Sequence, residues 1–128
     1  MRNIILLFSL VLVLASCAKD KSKPSIQGKY VGTFRSISPA SNSAPSNVTL
    51  TLTREGYIGT SDATYPVICN GTWKQGESSL RFEPGCNFLA PVAYLLSGDY
   101  SYSFDGVRLN FSGTRGDYTE IYDLKKVD

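Results

Sequence analysis

Val48-Thr49-Leu50-Thr51-Leu52-Thr53 alternates an apolar residue with a threonine over its whole length. A period of two places the valine and both leucines on one face of a strand and the three threonines on the other. Branched and bulky side chains of this kind suit a pleated, half-buried surface. One face therefore meets a core while the other meets water or a neighbouring strand.

The same reading extends in both directions. Glu55-Gly56 is a turn leading into a second strand over residues 57–61, because glycine accepts the positive φ that tight turns need. Residues 69–75 pair with 79–83 across Gly76-Glu77-Ser78, with Trp73, Leu80 and Phe82 facing inward. A third hairpin covers residues 99–104, turns at Asp105-Gly106 and returns over 108–113. In it Tyr100, Tyr102 and Phe104 alternate, as do Leu109 and Phe111, so one aromatic-rich face is specified twice. Residues 28–35 supply an opening strand and 118–125 a closing one, whereas helical periodicity is nearly absent beyond the first residues. Short alternating runs at this spacing predict an all-β protein: a single small antiparallel meander barrel of about eight strands. An immunoglobulin-like sandwich is the runner-up, but Cys69 and Cys86 are too close in sequence for its bridge between sheets.

Two segments break the pattern. Residues 36–46, rich in Ser, Pro, Ala and Asn, read as a long, polar, mobile loop. Residues 84–97 include Phe88, Leu89, Val92, Leu95 and Leu96, too apolar for an idle surface loop, and begin beside Cys86. They are expected to form a flap or helical turn packed over one end of the barrel.

The start of the chain has a different logic. Arg2, an apolar run from Ile4, and small residues ahead of a cysteine in Leu14-Ala15-Ser16-Cys17 have the layout of a secretory signal. The run is shorter than the ~20 residues a bilayer crossing needs. The tripeptide before Cys17 resembles the lipobox of bacterial lipoproteins, where a peptidase cuts just before a cysteine carrying a diacylglyceryl group. That resemblance implies removal of residues 1–16, a lipid on Cys17, a tether over residues 17–26 and a folded domain over 27–128. It also implies attachment to the cell envelope. Ala18, in place of the aspartate that retains such proteins at the inner membrane of enteric bacteria, favours the outer membrane, facing the periplasm or the cell surface. Lys19, Lys21 and Lys23 suit either anionic headgroups, at ~1 kcal/mol each near the surface, or a solvated spacer.

Charge and cysteines narrow the function classes. Thirteen Lys and Arg stand against eleven Asp and Glu, a formal net charge of +2 without a basic block, which tells against nucleic acid. With Cys17 lipidated, Cys69 and Cys86 remain as a pair outside the cytoplasm, where disulfides persist. Their bond closes a loop of about seventeen residues and stabilises the fold by roughly 3 kcal/mol on the chain-entropy model. A catalytic cysteine or a metal pair is the sharper alternative, but the chain has no histidine, the usual base and the commonest metal ligand. No nucleophile beside a base, no glycine-rich phosphate cradle and no metal-ligand cluster is visible, so neither an enzyme nor a cofactor is expected.

Gly28-Lys29-Tyr30-Val31-Gly32-Thr33-Phe34 is similar to the Gly-x-Trp/Tyr strand that opens lipocalin-like domains. Gly98-Asp99-Tyr100-Ser101-Tyr102, Leu109-Asn110-Phe111 and Tyr122-Asp123-Leu124 resemble the last three strands of small secreted barrels of that kind. The resemblance implies an up-and-down barrel holding a small apolar or aromatic ligand in its mouth, here lined by Tyr30, Trp73, Tyr100 and Tyr102 and covered by Phe88 and Leu89. The chain differs in carrying Tyr30 instead of tryptophan, in its brevity, and in having eight tyrosines and six phenylalanines, which can fill an eight-stranded barrel. The alternative is an envelope protein-interaction module, an inhibitor or accessory subunit, docking through the apolar residues 84–97.

Three weaker signals complete the reading. Arg115-Gly116-Asp117 is the triplet some adhesive proteins present to integrins, and equally an ordinary hairpin turn. Asn47-Val48-Thr49, Asn70-Gly71-Thr72 and Asn110-Phe111-Ser112 fit the glycosylation pattern but fall in or at the ends of strands. Most aspartates sit beside turns, where backbone hydrogen bonding explains them. Glu120 is the exception: alternation with Tyr118 and Tyr122 points it inward, where it needs a partner, Arg108 or Arg81.

Overall fold

The computed structural model describes residues 23–86 and 95–128. Eight strands follow one another: β1 (Gly28–Ile37), β2 (Ser46–Leu52), β3 (Tyr57–Ser61), β4 (Gly71–Gln75), β5 (Ser79–Pro84), β6 (Gly98–Phe104), β7 (Arg108–Arg115) and β8 (Tyr118–Lys126). Each pairs antiparallel with the next, and β8 returns to β1, closing the barrel. Among the described residues every regular element is a strand. The predicted meander and its hairpins are all present.

The alternating stretch behaves as its period requires. Val48, Leu50 and Leu52 are buried inside, while Thr49 bonds Thr60 across the outer face at 2.7 Å. Rings from the other strands fill the interior: Tyr30, Phe34, Phe82, Phe111 and Tyr122 are all less than 2 % exposed. They meet edge-on or tilted, and Phe111 stacks on Tyr122 at 4.4 Å. Offset and edge-on contacts are the geometries that aromatic quadrupoles favour.

The two ends of the barrel differ. At one, the chain enters across the opening, where the Lys23 ammonium reaches the Glu77 carbonyl in the β4–β5 turn. Ile26 is 1 % exposed and its carbonyl accepts from the Tyr30 hydroxyl at 2.7 Å, so this end is plugged. Ile26 belongs to the core, and the folded body begins ahead of the residue 27 boundary read from the sequence.

The opposite end carries the β1–β2 connection and the β7–β8 turn. Residues 38–45 form a polar, mostly exposed connection between β1 and β2, shorter than the 36–46 loop read from the sequence. β1 extends to Ile37, which bridges to Asn42, and Ser38 donates to the Ser41 carbonyl at 2.8 Å. Short polar residues here make a hydrogen-bonded tip, with the Ser38 hydroxyl bonded to the Ser41 backbone and the Ser43 hydroxyl accepting from the Ser36 amide.

β3 and β4 are joined at one register pair, Tyr57 with Gly71. Beside that seam, residues 62–70 lie against Leu95 and Leu96, with a Val67–Leu95 bridge and a bond from the Leu96 amide to the Val67 carbonyl. Cys69 and Cys86 are joined there, their Cα atoms 6.2 Å apart. Most of the apolar stretch 84–97, including Phe88 and Leu89, lies outside the described residues. So do residues 1–22, Cys17 among them.

Candidate functional site

Glu120 is the one buried carboxylate among the described residues, 2 % exposed on β8. Its neighbour in sequence two places earlier, Tyr118, has the same strand parity but sits at the rim and is 52 % exposed. Alternation therefore carries Glu120 inside just below the cleft end. A carboxylate there needs donors, and it has them. Tyr65 donates to Oε1 and Tyr100 donates to Oε2 at 2.6 Å. The Arg115 Nε lies 3.4 Å from Oε1.

The partner is thus Arg115, not either arginine the sequence suggested. Arg108 faces Asp123 at 3.4 Å on the outer surface, and Arg81 lies between Glu83 and Asp99. Arg115 reaches inward from the end of β7, where it also donates to the Leu95 and Ser97 carbonyls at 3.2 and 2.8 Å. The Arg-Gly-Asp triplet is accordingly a turn, with Gly116 at φ +60. Its arginine is engaged below the rim rather than displayed, which removes the geometry an adhesive triplet needs. What the sequence hid was that a turn residue could also be a core counter-charge.

Electrostatics follow from burial. Loss of water pushes the Tyr65 and Tyr100 hydroxyls well above their ordinary value of 10, and the adjacent Glu120 pushes them further, so both remain donors. Tyr122 is raised likewise, by burial first and then by Tyr100, Glu120 and Tyr65. Burial works to lower Arg115, but Glu120 and the tyrosine oxygens outweigh it and hold the guanidinium charged.

Two groups at this end stand apart. The Tyr122 hydroxyl is buried and has no hydrogen-bond partner, an arrangement that ordinarily costs ~1–3 kcal/mol, and the Ser36 Oγ, buried as well, faces the Tyr65 hydroxyl. Ser36 also lines a cleft of about 670 Å³, together with Ser41, Ser43, Tyr65, Arg115 and the turn residues Gly116 to Tyr118. The cleft therefore joins the aromatic faces of Tyr65 and Tyr118 to the Arg115 guanidinium and three serines. Concave sites with a few convergent polar groups are the ordinary form of a small-molecule site.

The residues nominated from the sequence are not brought together. Tyr30 lies in the plugged end, held by Ile26, and its hydroxyl is pushed up to about 12 by burial. Trp73 is half-buried, donating to the Thr53 carbonyl at 2.8 Å beside the β2–β3 turn. Tyr102 accepts from Gln75 at 2.7 Å and donates to the Gly76 carbonyl at 3.3 Å. Those three belong to the plugged half of the barrel, and Tyr100 alone reaches the Glu120 cluster. Phe88 and Leu89 fall outside the described residues, and the described apolar neighbours Leu95 and Leu96 are buried rather than displayed. No group of three or more metal-ligating side chains occurs among the described residues.

No family model, curated protein or solved structure matches the chain. The site must be read from its own chemistry.

Proposed function

We propose that this chain is a bacterial envelope lipoprotein, anchored through Cys17, whose barrel binds a small molecule rather than transforming one. The ligand has an apolar or aromatic body and a hydrogen-bonding head, and it is taken up at the cleft end. The reading is carried by one observation: a cleft of about 670 Å³ at this end is lined by Tyr65, Tyr118, Arg115 and three serines, and two of its lining residues, Tyr65 and Arg115, also hold the buried Glu120. A head group seated there would meet the serine hydroxyls and the Arg115 guanidinium, and the rings of Tyr65 and Tyr118 would flank the body. Glu120 is committed to three donors, which suits a structural acceptor better than a catalytic acid.

The test is a two-dimensional NMR screen of the labelled chain against phenols, aromatic acids and fatty acids. Shifts should concentrate at Ser36, Ser43 and residues 115–118, and Ser36→Val should abolish them. Trp73 fluorescence is a poor reporter, because that ring lies in the other half of the barrel. A screen in which no compound perturbs the cleft end, or in which shifts scatter over the plugged end, rejects the proposal.

A further inference from the structure

Five large apolar side chains are prominently exposed among the described residues: Val31, Ile58, Val107, Tyr118 and Val127. Three of them, the valines at 39 %, 52 % and 48 % exposure, share one shoulder of the barrel at its plugged end. The register places them together. Val31 pairs with Lys125, which pairs in turn with Arg108. The Val127 amide donates to the Lys29 carbonyl at 2.9 Å, and the Lys126 amide donates to the Val107 carbonyl at 2.8 Å. The valines are thus interleaved with Lys29, Lys125, Lys126 and Arg108.

Three carboxylates share the shoulder with those four cations and keep their charge, so the balance is a single positive charge. Asp105 accepts from the Val107 and Arg108 amides at 2.8 and 2.6 Å, Asp128 accepts from the Lys29 amide at 3.0 Å, and Asp123 faces Arg108 at 3.4 Å. Among the lysines, Lys29 and Lys125 stand exposed.

We infer that this valine-studded shoulder, with its small excess of positive charge, is a membrane-facing surface, seated on anionic phospholipid headgroups. Apolar side chains that reach the headgroup boundary, ringed by lysines, are what interfacial binding uses. The length of chain ahead of the barrel makes the same choice. Residue 23 lies at this end, and the steps from Cys17 to Lys23 span at most ~20 Å when fully extended. A lipid on Cys17 would therefore hold this end, not the cleft end, against the bilayer. This second argument rests on the anchored reading proposed above, whereas the composition of the shoulder does not. Seated this way, the barrel directs its cleft away from the membrane.

The experiment keeps the two apart. Cys17→Ser protein beginning at residue 17, which lacks both the apolar run ahead of it and the acceptor for lipid, is mixed with phosphatidylcholine vesicles with and without phosphatidylglycerol. Binding should require phosphatidylglycerol, and Lys29→Gln with Lys125→Gln should weaken it by roughly thirty-fold at low salt, at ~1 kcal/mol per lysine. A nitroxide at Val107→Cys should be shielded from a water-soluble nickel chelate in the bound state, while one at Tyr118→Cys stays accessible. Binding that ignores phosphatidylglycerol, no binding at all, or equal accessibility of the two labels would overturn the surface. So would capture of an acidic protein by the same lysines without vesicle binding. Mass spectrometry of the wild-type N-terminus decides the anchor separately: an unacylated Cys17 removes the tether and leaves the vesicle result standing.

Discussion

Glu120 and Arg115 show how one pair of residues can link packing to a site. Replacing Arg115 with leucine leaves a buried carboxylate without its counter-charge, which ordinarily costs about 3–5 kcal/mol. The loss should fall toward the lower figure, since the Arg115 side chain is 27 % exposed and water screens part of the pair. Glu120→Gln removes the charge yet keeps an acceptor for Tyr65 and Tyr100, so it should cost less, and combining it with Arg115→Leu should recover part of the larger loss. Urea midpoints at constant m-value give all three. An arginine variant as stable as the wild type would mean that the pair is held for another reason. The inward glutamate was legible from its alternation with Tyr122, because a two-residue period fixes a face. Its partner was not, because Arg115 lies in a turn triplet whose sequence gives no face at all, and only closure of the barrel decides which arginine reaches the interior.

At the level of the strands, pattern and register agree almost everywhere. The alternation in β2, the ring-rich faces of β6 and β7 and the glycine-bearing turns between them could each be read locally, since each depends on neighbours a few residues away. What needed the closed barrel was the spread of Tyr30, Trp73, Tyr100 and Tyr102 over different levels of the interior. All four face inward, but sequence alternation reports the face and says nothing of the height. The β1–β8 closure supplies a test of its own. Gly32 passes so close to β8 that a Cβ there would collide with the Asp123 carbonyl. Gly32→Ala must therefore push the closing strands apart, at a cost of about 1–3 kcal/mol, or a fall in melting temperature of ~4–8 °C per kcal/mol in a domain of this size. Gly106 is different: φ is +100 and nothing lies within 4 Å, so alanine there meets backbone strain without a collision and should cost only about 1 kcal/mol. The disulfide pins the segment between β3 and β4 beside the sparsely paired seam. Reduction, or Cys69→Ala with Cys86→Ala, should lower stability by roughly 3 kcal/mol, read as a shift in denaturant midpoint.

For the molecule as a whole, a core built from phenol rings gives a characteristic response to alkali. Burial raises Tyr30 and Tyr57 from 10 to about 12 and raises Tyr65, Tyr100 and Tyr122 as well. A folded pKa above the unfolded one means that the native state holds its protons longer. The associated stability is full below pH 10 and is lost as pH rises toward and through the folded values. Phenolate absorbance from these rings should therefore appear together with unfolding, measured as coincident changes in ultraviolet absorbance and circular dichroism above pH 10. Titration of all eight tyrosines near pH 10 with the fold intact would contradict the packing described.

The plug at Ile26 and the Asp128 contact with Lys29 place residues 23 and 128 at the same pole. The protein thus has one end through which it can be held and another left free. A bead, a sensor chip or a fused reporter joined at residue 23 or at residue 128 would grip the molecule from the side of Val107 and Val127. The pole bearing Ser36 and Arg115 would stay open to solution, so an immobilised barrel would offer its cleft to whatever flows past.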